Sequence, residues 1–257
     1  MIESLHKRRR LGLVAFVAFV LLLTLAERRV MVPFVLDRPA VDDVTYWQAH
    51  VDRNGMTAAS HLRLGIAYAK NGQLDRAEAS FTAALDLQPN YDAAAIGRYG
   101  VVARRHEGER ALVDLEDYAR ANSLCAVCWQ NLAADYLNLR KLGAAEAAVE
   151  ALLASDFSVE SKMYNVENME VEASILAGRV YAARGDRLRA IEFFREAIEK
   201  DPNEVRAYIL QAKNLLANQD PEAALAVLKD ATRRADQDQR TRREIDRLRQ
   251  RALEVRR

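Results

Sequence analysis

"LGIAYAKNGQLDRAEASFTAALDLQP", residues 64–89, has a counterpart at 177–202, "AGRVYAARGDRLRAIEFFREAIEKDP". Gly65, Tyr68, Ala77, Phe81, Ala84 and Pro89 in the first stretch answer to Gly178, Tyr181, Ala190, Phe194, Ala197 and Pro202 in the second, with identical internal spacing. Agreement at fixed offsets between otherwise different segments marks a structural unit used more than once. Steps of 34 residues from Ala77 land on Ala111 and then on Ala145, small residues suited to a close helix crossing. From Ala145 to Ala190 the step is 45, so 11 extra residues are expected within 154–170.

The first stretch in full, His61-x2-Leu64-Gly65-x2-Tyr68…Ala77-x3-Phe81…Pro89, resembles the tetratricopeptide repeat, whose pattern is W-x2-L-G-x2-Y…A-x3-F…P over about 34 residues. Only the Trp is missing. The resemblance implies an all-α solenoid of about five helix-turn-helix repeats, at 58–91, 92–125, 126–159, 171–204 and 205–238, with the insertion in 154–170. The third of these carries Trp129, Leu132, Ala133 and Tyr136. The second is degenerate, with Tyr99 where Gly is expected and Leu115 in place of Phe. The fifth keeps Ala224 and Ala231 and opens its second helix on Asp220-Pro221-Glu222, a cap, a proline at the first helical position and an acid in the first turn.

Physical chemistry accounts for these residue types. Gly65 and Ala77 are small because two helices meet there, Tyr68 and Phe81 fill the space between units, and Pro89 stops the second helix. No such unit buries its apolar faces alone, so stability is a nearest-neighbour sum along the stack. The ends then need polar covers. Ile245, Leu248, Ala252 and Val255 recur at helical spacing in 239–257, which predicts a C-terminal capping helix. Within 30–57, "DDVTYWQAHVDRNG" (42–55) predicts a capping helix, with Tyr46 and Trp47 covering the first repeat.

Composition agrees with packed helices. Half of the 257 residues are hydrophobic, Gly and Pro number only 10 and 5, and the formal net charge is +1, which argues against a strongly basic nucleic-acid binder. No nucleic-acid partner is expected. Residues 11–26 are an uncharged apolar run between Lys7-Arg8-Arg9-Arg10 and Arg28-Arg29. Sixteen helical residues reach roughly 24 Å, slightly short of a hydrocarbon core of about 30 Å, and snorkelling arginines make up the difference. The apolar run continues to Ala26 without the polar spacer of a cleavage site, so residues 1–29 are predicted to be a cytoplasmic stub and an uncleaved transmembrane helix rather than a signal peptide. The excess of cations before the run places the N-terminus inside. The expectation is a single-pass protein of the cytoplasmic membrane with its repeats on the periplasmic side.

Cys125 and Cys128 are the only cysteines, in Cys-x-x-Cys-Trp. Trp129 falls where the repeat places its Trp, and an indole is no axial haem ligand. Zinc would need two more ligands, and His6, His50, His61 and His106 show no metal spacing. The pair then reads as a local disulfide at a helix start, as two small buried side chains, or as a thiol-exchange pair whose acidity a helix N-terminus raises.

The resemblance also implies a groove lined by positions 2, 5, 6, 9, 12 and 13 of each unit. In the first repeat these include Leu62, Arg63, Ile66 and Lys70, in the second Ile96, Gly100 and Arg104, and in the third Gln130, Asn131 and Asn138. The fourth supplies Ile175, Leu176 and Arg179, the fifth Arg206, Ile209, Leu210 and Lys213. Leu62 and Ile66 stand where clamps for acidic C-termini carry polar groups, so the expected guest is an extended peptide or a helix with apolar anchors and a few acids. No pairing of histidine with a nucleophile, phosphate-binding glycine loop or special acid pair is present. No catalytic residue, cofactor or metal is therefore expected. The predicted function is a non-enzymatic, membrane-tethered scaffold that binds and stabilises or assembles a partner protein or membrane complex. The alternatives are an assembly factor of cytochrome c maturation type using Cys125/Cys128, and a permanent accessory subunit of a respiratory or photosynthetic complex.

Overall fold

The computed structural model describes residues 44–54, 57–155, 157, 168–235 and 238–256. Among them there are twelve helices and no strand. They are α1 (Val44–Asn54), α2 (Ala58–Lys70), α3 (Leu74–Leu87), α4 (Asp92–Arg104), α5 (Gly108–Ala121), α6 (Ala126–Asn138), α7 (Leu142–Leu153), α8 (Met169–Arg184), α9 (Arg187–Lys200), α10 (Val205–Ala217), α11 (Pro221–Arg234) and α12 (Gln239–Val255). None is long and apolar enough to cross a membrane. The apolar run 11–26 lies outside the described residues, as does most of the segment 154–170. The helices divide into two compact units, one ending at Leu87 and one beginning at Gln88.

In the first unit α2 and α3 form an antiparallel pair, with α1 packed on α2. Thr57 opens α2 with a capping box, its hydroxyl accepting the Ser60 N–H and the Ser60 hydroxyl taking that of Thr57. The pair closes where Gly65 faces Phe81: a Cβ on Gly65 would stand 2.7 Å from Phe81 Cε1. Tyr68 is buried and its hydroxyl donates to Gln48 of α1 at 2.9 Å. From α1 it is Val51 that is buried, while Tyr46 is exposed and stacks edge-on to Trp47. The expectation for Tyr46 is thus corrected. A helix buries one stripe, and the stripe through Val51 leaves Tyr46 on the solvent side.

The second unit repeats the same pairing four times, α4/α5, α6/α7, α8/α9 and α10/α11, and adds α12 against α10 and α11. Each pair, like α2/α3, turns on one left-handed residue: Gly72, His106, Arg140, Gly185 and Gln219 all have φ between 61° and 89°. In each turn the following N–H reaches back to a carbonyl in the last turn of the first helix, as from Gln73 to Tyr68, Glu107 to Val102, Lys141 to Tyr136, Asp186 to Tyr181 and Asp220 to Leu215. That is a Schellman closure, and it satisfies carbonyls that the helix end leaves without partners.

Neighbouring pairs of the second unit are tied in two ways. Apolar clusters bridge them: Ile175 of α8, Ala197 of α9 and Ala207 of α10 pack together, and Ile209, Leu215 and Leu216 of α10 meet Ile245, Leu248 and Ala252 of α12. Polar cross-links join Tyr136 to Glu116 at 2.5 Å, Arg184 to Glu146, and Arg206 to Glu172. In α12 the buried stripe is Ile245, Leu248 and Ala252, whereas Val255, the last residue of the helix, is half exposed.

Candidate functional site

The residues expected to line a groove separate into three groups. Leu62, Ile175, Leu176 and Ile209 are buried in the cores of their units, which corrects their assignment to a guest-facing surface. Ile175 packs with Val171, Ala197 and Ala207, and Ile209 belongs to the cluster shared by α10, α11 and α12. Ile66, Ile96, Gln130, Asn131, Gly100 and Leu210 are half-buried. Arg63, Lys70, Arg104, Asn138, Arg179, Arg206 and Lys213 are exposed. Arg206 and Lys213 are engaged by carboxylates, and Arg104 is not without a partner either. Arg206 pairs with Glu172 and with Glu204 at 2.7 Å, and Lys213 with Glu244 at 2.6 Å. The Arg206 guanidinium holds the Glu204 carboxyl below the usual carboxylate range.

Two cavities in the second unit open beside these positions. One, of about 880 Å³, lies where the ends of α4 and α6 meet the start of α5, with Tyr99, His106, Asp135, Asn138 and Lys141 in its wall. Tyr99, which takes the place of the expected glycine, turns its hydroxyl onto the Asp135 carboxylate of the next pair. Burial pushes the Asp135 carboxyl up, against a hydrogen bond from Asn138 that pulls it down. The other cavity, of about 740 Å³, lies between Lys213 and the start of α12, with Arg240, Arg243 and Arg247 in its wall. These three arginines belong to the predicted capping helix and were not among the expected groove positions, because 239–257 reads as a cover for the stack. The signal that finds them is the 34-residue step carried one unit further.

Cys125 and Cys128 form a disulfide at the start of α6, with Cα atoms 5.3 Å apart. Cys125 caps the helix, its sulfur and its carbonyl both accepting the Cys128 N–H. Both side chains are buried, at 1% and 0% exposure, which leaves little access for an exchanging thiol. The Asp92 carboxylate lies within 4.8 Å of both sulfurs. It accepts the Tyr118 hydroxyl at 2.6 Å, and with both sulfurs bonded to each other neither is a thiolate ligand. Trp129 is half-buried, and its indole N–H donates to the Ser123 carbonyl at 3.3 Å.

Profiles of the tetratricopeptide repeat match residues 58–91, 131–205 and 181–243. No curated protein matches the chain at a significant level. Among solved structures, PilF of Pseudomonas aeruginosa aligns at 16% identity and a TM-score of 0.56, over 77% of this chain and 88% of that one. YrrB, described as a TPR protein with an unusual peptide-binding site, aligns at 18% identity and 0.55, over 82% of this chain and 97% of that one. Yeast Tom70 aligns at 13% identity and 0.60, over 86% of this chain and 45% of that one. At such identities the likeness is one of fold. The helix pairs, their shared turn and the profile matches agree: the chain carries tetratricopeptide repeats, over 58–91 and 131–243.

Proposed function

We propose that the chain is a non-enzymatic scaffold, held at the cytoplasmic membrane by residues 11–26, whose repeats bind a partner protein on the extracytoplasmic side. The observation that carries the binding role is the pair of open cavities beside the exposed first-helix positions of the second unit. Stacked repeats create concave surfaces of this kind, and repeat proteins use them for binding. The peptide-binding site named for YrrB supports the same use of a similar fold. The tether is supported by the uncharged run 11–26 and its flanking arginines, and export by the Cys125–Cys128 disulfide, a bond that persists in oxidising compartments. Burial of both sulfurs favours a structural disulfide over a thiol-exchanging assembly factor.

The test is detergent extraction of the full chain followed by affinity purification and mass spectrometry. One membrane or exported protein should co-purify in fixed stoichiometry, and Lys141→Glu, in the wall of the 880 Å³ cavity, should reduce its recovery several-fold. Deletion of residues 1–29 should move the chain from the alkali-resistant membrane fraction to the soluble one. Recovery of the chain alone, or full alkali solubility of the intact chain, sinks the corresponding half of the proposal.

A further inference from the structure

Asp92 is the first residue of α4, and Cys125 and Cys128 stand at the start of α6, so one helix pair brings a carboxylate to the two sulfurs of the next. The three ligand atoms lie within 4.8 Å of one another, and among the described residues no other His, Cys, Asp or Glu side chains form such a group of three. A whole helix pair separates Asp92 from Cys125 in the sequence, so no ligand spacing along the chain announces the group.

The surroundings suit these atoms to a cation. Asp92 is half-buried, and the Tyr118 hydroxyl donates to its Oδ1 at 2.6 Å, which orients the carboxylate and leaves its other oxygen to serve as a ligand. The Cys128 N–H donates to the Cys125 sulfur at 3.3 Å. In the reduced chain that N–H and the positive end of α6 favour thiolates at both positions. Ligand atoms on a tetrahedral zinc ion, at about 2.0–2.3 Å from it, stand roughly 3.5 Å apart. A group within 4.8 Å is close to that spacing, and side-chain rotations complete it once the sulfurs are unbonded. Two soft thiolates beside a harder carboxylate select zinc, since calcium and magnesium take oxygen and copper(I) prefers sulfur alone. Three protein ligands with solvent in the fourth place is a coordination that zinc adopts.

We infer that Asp92, Cys125 and Cys128 of the reduced chain form a zinc site that ties the second repeat to the third, and that the disulfide is the oxidised, ion-free form of the same site. Zinc displaces one proton from each thiol, and no electron moves. A disulfide-bearing oxidant takes two electrons from the two thiolates, closes the Cys125–Cys128 bond, leaves as two thiols with two protons from water, and frees the ion. Both sulfurs are buried, so the choice between ion and bond falls as the repeats assemble rather than by exchange in the folded chain.

The test uses the tag-free full chain in detergent, isolated without oxygen in a phosphine reductant, its two thiols verified by titration in guanidinium. Cobalt(II) should give a sulfur-to-metal charge-transfer band that saturates at one ion per chain, and zinc should abolish it. Asp92→Asn keeps an acceptor for the Tyr118 hydroxyl and should weaken zinc binding by at least about 10-fold, the least that loss of even an outer partner costs. Zinc should raise the urea midpoint of the reduced chain and leave that of the oxidised chain unchanged. Absence of the band from a chain with two titrated thiols overturns the inference, whatever the variants do. So does equal zinc affinity of the parent and Asp92→Asn, which would leave the carboxylate without a role. Undiminished zinc affinity in Cys125→Ser/Cys128→Ser would place the ion elsewhere and overturns it too.

Discussion

Gly178 shows how one residue sets the spacing of a helix pair. A Cβ there would stand 2.5 Å from Cε1 of Phe194, a fully buried ring with no room to retreat. Gly178→Ala is therefore expected to destabilise the second unit by about 1–3 kcal/mol, the usual cost of overpacking, measured by urea unfolding. The chain holds its own control. In the same register the third and fifth repeats oppose Ala133 to Val149 and Ala212 to Leu228, so alanine is tolerated where the opposing side chain is aliphatic. Gly178→Ala combined with Phe194→Leu should be less destabilised than the sum of the two single changes; strict additivity would disprove the contact. Tyr136 gives a pH prediction. Burial, and then the hydrogen bond to the Glu116 carboxylate, push its hydroxyl from 10.0 up to about 12. Over that interval the folded chain keeps a proton the unfolded chain has lost, so stability falls as pH rises. Tyr136→Phe should flatten the decline between pH 10 and 12 relative to the parent, and parallel curves for the two proteins would contradict this.

At the scale of elements, the five turns share one geometry but not one residue. Gly72 and Gly185 adopt positive φ without penalty, whereas His106, Arg140 and Gln219 hold φ of 65°, 61° and 61°. A non-glycine residue costs about 1–2 kcal/mol there, while glycine costs roughly 0.5–1 kcal/mol through the freedom it adds to the unfolded chain. Arg140→Gly should thus raise stability by about 0.5–1 kcal/mol, read as a higher urea midpoint with unchanged slope; a lower midpoint would mean that the Arg140 side chain contributes more than its backbone costs. Much of this level was legible beforehand. The 34-residue spacing of Ala77, Ala111 and Ala145 locates crossings that depend on local size. The disulfide was open in the sequence, because two cysteines in one turn pack or bond according to what surrounds them.

The molecule as a whole depends on neighbours, and its C-terminal helix tests that dependence. Removing residues 239–257 strips Ile245, Leu248 and Ala252 from Tyr208, Ile209, Leu215 and Leu216. Uncovering that face should cost about 3 kcal/mol or more, from the burial of two large aliphatic side chains. In hydrogen exchange the loss should appear first in α10 and α11, with α2 and α3 in the other unit unchanged, as nearest-neighbour stability requires. A uniform loss over both units would refute it. The repeat pattern established the helix-pair fold in advance, because glycine, alanine and aromatic spacing follows from contacts inside one short unit. Which first-helix positions are exposed was decided only by the assembled units. Leu62, Ile175 and Ile209 share the register of Arg243 but are buried, while Arg243 is exposed. Exposure is a property of what packs alongside, and a local pattern carries no information about a neighbour contributed from elsewhere in the chain.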